Sequence, residues 1–260
     1  MECGDDGVFD YPNVMAGIEK IKNWKPGDKP FVLFLPLLYP HCPYTVPKEY
    51  YDLYMNTDIE LRGHGENKPE FHSLIRSYRS LNDEKILRKV QAVYLSMITY
   101  SDKLLGKLMD ALESSPANDD TVLIATSDHG DYAGDYGLVE KWPNGFEDVL
   151  TRVHLVVKGH GVKKGHRVEG QVEILDLMPT LLEAEGIEPQ HLFFGESLWP
   201  ALKGGNGDPE RVVYGDGGYD LHEPYCFEGW GTRDADIMFP GGVYYHKALQ
   251  QQEHPLSVCR

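Results

Sequence analysis

The residues best suited to chemistry lie in Thr121–Lys141, TVLIATSDHGDYAGDYGLVEK. An apolar run rich in β-branched residues (Thr121, Val122, Leu123, Ile124, Ala125) stops at Ser127, and Asp128, His129 and Gly130 follow at once. A buried strand with this ending offers two potential metal ligands where the chain leaves a sheet, and open α/β sheets place their chemistry at that carboxyl edge. Asp128 is a hard oxygen donor suited to calcium or magnesium. His129 is a borderline donor that on chemical grounds favours zinc or manganese. Lys141, later in the same loop, could neutralise a bound anion. The combination suggests a metal-assisted site for an oxyanion ester. A second candidate is His41, which stands between Pro40 and Pro43 just past an apolar run and is therefore rigidly placed.

The elements that must position these residues follow from pattern. Residues 14–24 read as a short amphipathic helix stopped by Pro26 and Gly27. Residues 31–38 (FVLFLPLL) are almost wholly apolar, as expected of a strand buried on both faces. A loop over 39–46 and an aromatic helix near 47–54 come next, and the polar stretch 56–80 reads as a surface excursion. From about Asp83 to Ser114, apolar residues recur at 86, 90, 93, 97, 104, 108 and 112, and again at 87, 94, 98, 105 and 109. That is the period of a long helix, with Asn82 or Asp83 as its cap. A helical turn over 146–150, a strand over 154–157, a helix over 172–185 closed by Gly186, and a strand over 212–215 complete the readable part. Alternation of strands and helices predicts an α/β layered domain. Asp102 is expected as a buried polar contact in the long helix, Arg152 and Glu147 as a structural pair, and His154, His160 and His166 as loop histidines.

Composition narrows the partners. The 260 residues carry 41 acidic and 25 basic side chains, a formal net charge of −16. This argues against nucleic acid, which demands a basic footprint. It also makes an anionic substrate dependent on local cations or a metal. No apolar run approaches the roughly 20 residues of a membrane helix. The opening residues have neither the basic end nor the apolar centre of a secretory leader. Cys3, Cys42, Cys226 and Cys259 include no C-x-x-C pair, so a zinc knuckle is not expected.

Several blocks in order resemble one family. Lys29-Pro30-Phe31, Pro40-His41-Cys42-Pro43-Tyr44, Pro47-Lys48-Glu49-Tyr50, Asp128-His129-Gly130, Gly134-Asp135-Tyr136-Gly137-Leu138, Lys141, Phe146-Glu147-Asp148 and Leu175-Asp176-Leu177-Met178-Pro179-Thr180 are similar to the later part of a sulfatase of the alkaline phosphatase superfamily. The resemblance runs from about residue 28 to 200. It implies an α/β fold of the alkaline phosphatase type, a layered sheet with helices on both faces, present incompletely. Residues 1–202 would belong to the catalytic domain and 203–260 to a loop-rich continuation, the start of a C-terminal subdomain. It implies sulfuric ester hydrolysis with calcium at Asp128 and His129. Lys141 would hold a sulfate oxygen, and His41 would lie beside the leaving-group oxygen to bond or protonate it. The substrate would be a small-molecule or glycan sulfate ester. Tyr136 stands where such proteins often carry His, a departure at the substrate rim.

Sulfatases take their nucleophile, formylglycine, from a C/S-x-P-x-R motif, and no such motif occurs in this sequence. Asp5-Asp6 only superficially matches the family's early Asp pair and reads as loop. The sequence is therefore expected to be an internal piece of a longer sulfatase, inactive in isolation. Two alternatives stand beside it: a phosphodiesterase or phosphonate hydrolase of the same superfamily, and a sulfatase-like binding protein without catalysis.

Overall fold

The computed structural model describes residues 2–3, 10–68, 70–78, 81–142, 145–217 and 256–259. In chain order these form β1 (Glu2–Cys3), α1 (Asp10–Asn23), β2 (Val46–Pro47), α2 (Lys48–Tyr51), α3 (Glu70–Tyr78), α4 (Glu84–Glu113), β3 (Val122–Thr126), α5 (Asp148–Thr151), β4 (Leu155–Gly159), α6 (Leu177–Ala184), α7 (Trp199–Leu202), β5 (Tyr214–Gly217) and β6 (Leu256–Cys259). Asp5 and Asp6 lie outside the described residues, as does most of the stretch after 217.

α4 is the spine. Asp83 caps it by accepting the Lys85 N–H at 2.9 Å, as its position in the sequence predicts. Its buried side chains Val93, Met97, Tyr100, Leu104 and Ala111 follow a helical period and meet Val14 and Ile18 of α1 and Val46 of β2 in the largest core cluster. Truncating a fully buried residue such as Met97 would cost about 2–5 kcal/mol. Farther along, Ile21, Leu112 and Ala117 close a second cluster, onto which Leu33 and Leu123 pack. Two sequence expectations for α4 change: Ile86 and Ile98 face solvent rather than the core, and Asp102 is exposed, so it makes no buried contact.

β3 and β4 pair antiparallel, with Val122 opposite Gly159 and Thr126 opposite Leu155. β5 pairs with β6 and β1 with β2. β3 is half-buried rather than buried, because among the described residues its ladder has one partner, β4. The run 31–38 also departs from expectation. It is extended but joins no strand ladder among the described residues. Leu33 and Leu35 face the helices, Leu35 against Gly17 of α1, whereas Val32 and Phe34 are 88% and 82% exposed. Burial on both faces requires neighbours on both sides, and among the described residues the run is covered on the α1 and α4 side while Val32 and Phe34 stay exposed on the other.

The stretch 56–80 is not wholly a surface excursion. It contains α3, whose His72 and Ile75 are buried, Ile75 against Tyr132, Leu138, Trp142 and Leu150. The helix expected over 172–185 begins with a tight turn, Ile174–Asp176, and continues as α6. Among the described residues no helix is long and apolar enough to cross a membrane.

Candidate active site

The loop carrying His41 is pinned at both ends. Asp10, buried at the start of α1, accepts the N–H groups of Leu38 and Tyr39 at 2.8 and 2.7 Å. The Tyr39 hydroxyl donates to the Thr45 carbonyl at 2.6 Å, closing the loop on itself. Pro40 and Pro43 both follow cis peptide bonds. His41 is left exposed at the tip, its Nδ1 2.5 Å from the Cys42 carbonyl oxygen. A carbonyl only accepts, so Nδ1 carries the proton and Nε2 presents its lone pair.

The second loop leaves β3 at Thr126. Asp128 is largely exposed, and its Oδ1 accepts the His129 N–H at 2.9 Å. Gly130 is required by packing: its N–H donates to the Leu150 carbonyl at 2.8 Å, and a Cβ there would overlap the Val149 carbonyl oxygen. The chain then doubles back. Tyr132 N–H donates to the Glu140 carbonyl at 3.0 Å and Gly134 N–H to the Leu138 carbonyl at 2.8 Å. Glu140 sits in the left-handed region (φ 64°), a costly conformation for a residue with a Cβ. Lys141 follows it directly.

The two loops meet. Lys141 Nζ lies 2.7 Å from His41 Nε2, with both side chains exposed. An ammonium can only donate, so the Nε2 lone pair accepts. An exposed cation and an imidazole in contact form a small polar face able to receive an oxyanion. Asp128 Oδ2 and His129 Nε2 lie 3.5 Å apart. Two donors at right angles around an ion with bonds of ~2.4 Å would be separated by about that distance, so the pair fits a shared divalent cation. It does not complete a shell: among the described residues no three His, Cys, Asp or Glu side chains converge on a metal position. Calcium takes about six to eight oxygens.

Behind these residues lies a polar framework that sequence reasoning missed. Tyr44 donates to Asp131 Oδ1 at 2.8 Å and accepts the Glu140 N–H at 2.8 Å. Burial pushes the Asp131 carboxyl above its ordinary range, with Glu140 adding to the effect, against the bonds from Tyr44 and the Ala133 N–H. Burial likewise raises the Tyr44 hydroxyl, which stays protonated. Glu147 is bound by Lys68 at 2.8 Å and Tyr132 at 2.6 Å, with His72 Nε2 at 3.4 Å. The expected pairing of Glu147 with Arg152 is therefore wrong; Arg152 is exposed. Burial works to raise Glu147, but these donors hold it below the usual range. Tyr136 is walled by the 62–72 stretch, with Lys68 Nζ 4.4 Å from its ring centre and His64 Nδ1 2.9 Å from its carbonyl oxygen. The signal that could have revealed this wall is the clustered His and Lys of 64–72, set beside apolar Ile75. His160 and His166 each contact a distant carbonyl oxygen, of Asp119 and Gly205. They do not converge, in keeping with loop histidines.

The sequence pattern of the family described as Sulfatase matches residues 10–187. The chain is 32% identical over 220 residues to the multifunctional alkaline phosphatase superfamily protein PehA of Trinickia caryophylli, covering 76% of this chain and 41% of that protein. It is 30% identical over 187 residues to a choline-sulfatase of Rhizobium meliloti, covering 68% and 36%. The phosphonate monoester hydrolase of Agrobacterium radiobacter superposes with a TM-score of 0.74 at 23% identity, covering 99% of this chain and 51% of that one, and so shares its fold. The chain thus spans about two fifths of the length of these curated relatives. With the family pattern matched over residues 10–187 and 32% identity over 76% of its length to an alkaline phosphatase superfamily protein, this α/β chain belongs to the sulfatase family of the alkaline phosphatase superfamily.

Proposed function

We propose that this chain carries the leaving-group and half-metal portion of a sulfuric ester hydrolase. The observation that carries the reading is the contact of Lys141 with His41 across 100 residues of sequence. A lone exposed lysine or histidine means little; the two joined at the mouth of an Asp-His-Gly loop form an oxyanion-binding pair. Lys141 holds a non-bridging oxygen of the ester and offsets the charge that develops on it. His41 acts at the leaving group. With Nδ1–H committed to Cys42, Nε2 is the nitrogen that faces the departing alcohol oxygen: it rests as an acceptor from Lys141, takes up a proton from solvent to become imidazolium, and passes that proton to the oxygen as the S–O bond breaks. Asp128 and His129 would hold a divalent cation, calcium by family resemblance. Such a cation would neutralise charge on the ester oxygens when bound.

Residues 1–202 belong, in this reading, to the catalytic domain, with the loop-rich remainder beginning a further subdomain. The substrate is a small-molecule or glycan sulfate ester, and the formylglycine nucleophile is supplied by sequence that this chain does not encode. The test is turnover of an aryl sulfate by the purified 260 residues. No rate above that of Lys141→Ala is expected, and a clear excess would overturn the division of labour. A second reading is hydrolysis of phosphodiesters or phosphonates, whose oxyanions the same His41–Lys141 face would receive. Paired rates of the nucleophile-bearing protein on sulfate and phosphate esters decide between them, a phosphate preference counting against the first.

A further inference from the structure

We propose that Tyr44 is a positioning residue whose hydroxyl sets the separation of His41 and Lys141. What that pair is for rests on the function proposed above; how it is held does not. Tyr44 lies three residues after His41, Asp131 three after Asp128, and Glu140 immediately before Lys141. The one hydroxyl donates to the Asp131 carboxylate and accepts from the Glu140 amide, both at 2.8 Å. It thereby ties the histidine loop to both limbs of the loop that carries the candidate metal ligands and the lysine.

The geometry at Glu140 makes this tie consequential. A left-handed φ of 64° at a glutamate persists only where its surroundings hold it. Here the amide is held by Tyr44 and the carbonyl by the Tyr132 N–H at 3.0 Å. Relaxing Glu140 toward ordinary φ would rotate the following peptide and swing Lys141 away from His41. The Tyr44 ring itself is a fixed post. It packs against the buried Leu81, Leu87 and Val139 and meets Tyr94 of α4 edge-on at 6.3 Å. Removing the hydroxyl while keeping the ring should therefore preserve the fold and release only the tie. Asp131 also accepts the Ala133 N–H at 2.7 Å, which orients its carboxylate toward Tyr44.

The test reads the pair directly, in the 260-residue chain and without any ester, so its failure is separate from failure of the sulfatase reading. Histidine ring nitrogens are followed by 15N NMR, with His41 assigned by His41→Gln. In the parent chain His41 should show a single Nδ1–H tautomer in contact with the Lys141 ammonium. Tyr44→Phe should average the tautomers, abolish the lysine contact and speed exchange of the Glu140 amide about tenfold or more through local opening. Tyr54→Phe removes a hydroxyl bonded to Thr99 at 2.8 Å, away from the pair. It should leave the His41 signals in place, which separates positioning from general loss of stability. Asp131→Ala should reproduce the change and Asp131→Asn, which keeps an acceptor, should restore the parent signals. Asp131→Ala serves also if Tyr44→Phe does not fold. Unchanged His41 nitrogens in either folded variant, Tyr44→Phe or Asp131→Ala, overturn the proposal.

Discussion

Lys141 Nζ and His41 Nε2 lie 2.7 Å apart although 100 residues of chain separate them. Neither helix nor strand carries either residue; each sits at the exposed tip of a loop whose base is buried or bonded. In the function proposed above, the contact joins a charge-neutralising group to a proton-transfer group, and the consequences can be measured.

In a polypeptide that supplies the nucleophile, Lys141→Ala should lower kcat for sulfate esters by about 10²–10³-fold, the usual effect of removing an oxyanion contact. His41→Ala should cost about 10²–10⁴-fold on alkyl sulfates, where the departing oxygen needs a proton, and much less on 4-nitrophenyl sulfate. Equal losses on both leaving groups would remove His41 from the role of acid.

With Asp128 and His129 as the two donors of the proposed site, the 260-residue chain should bind calcium weakly, with a Kd near ~10⁻⁴–10⁻³ M. Isothermal titration calorimetry should show this heat in the parent chain and lose it in Asp128→Asn. Retention of the heat in that variant would place calcium elsewhere.

Among the described residues, the ion pair with the most buried carboxylate stands at the start of α6. Asp176, fully buried, accepts both guanidinium nitrogens of Arg211 at 2.7 and 2.8 Å and the N–H groups of Glu173 and Glu196 at 2.8 Å each. Burial works to raise its carboxyl, but the bonds from Arg211 and the two amides hold it below the ordinary 3.8. A carboxyl depressed in the folded state contributes stability above its unfolded value and loses it as pH falls toward the folded one. Arg211→Ala should destabilise the chain by about 3–5 kcal/mol by leaving that charge buried and unpaired. Urea midpoints across pH 2–7 should fall below about pH 3.8 in the parent, and this slope should flatten in Asp176→Asn.

His72 supplies a second window. It is buried on α3, and desolvation lowers its imidazole below 6.5 despite the opposing pull of Glu147. The unfolded chain then takes up a proton that the folded chain refuses. Stability is complete above pH 6.5 and declines as pH falls below it. His72→Gln should remove the part of the decline that begins near pH 6.5 and leave the carboxylate part at lower pH. An unchanged urea-midpoint profile between pH 5 and 7 would refute the assignment.

Much of the local structure was legible because it is written in short-range pattern. α4, its Asp83 cap, the β3 ending at Asp-His-Gly and α6 all follow from periodicity, capping chemistry and turn residues within a few positions. The 31–38 run departs from its pattern because continuous apolarity reports an affinity for burial, not whether both faces find neighbours. α3 is not legible in the sequence because its buried face includes a histidine that meets a distant glutamate, and polar composition disguises it. Glu147 meets Lys68 rather than the nearby Arg152 because proximity in sequence is a poor guide to which donor a buried carboxylate will meet.

The sequence by itself determined the family, the order of the elements and the residue types available for an oxyanion and a cation. Only the tertiary structure decided which of them touch. Lys141 meeting His41, Tyr44 joining Asp131 to Glu140, and Lys68 reaching Glu147 are contacts across 79 to 100 residues. They depend on where packed cores return the chain, and no local period encodes that return, because hydrophobic burial fixes the loop bases without directional preference while hydrogen bonds select the final register.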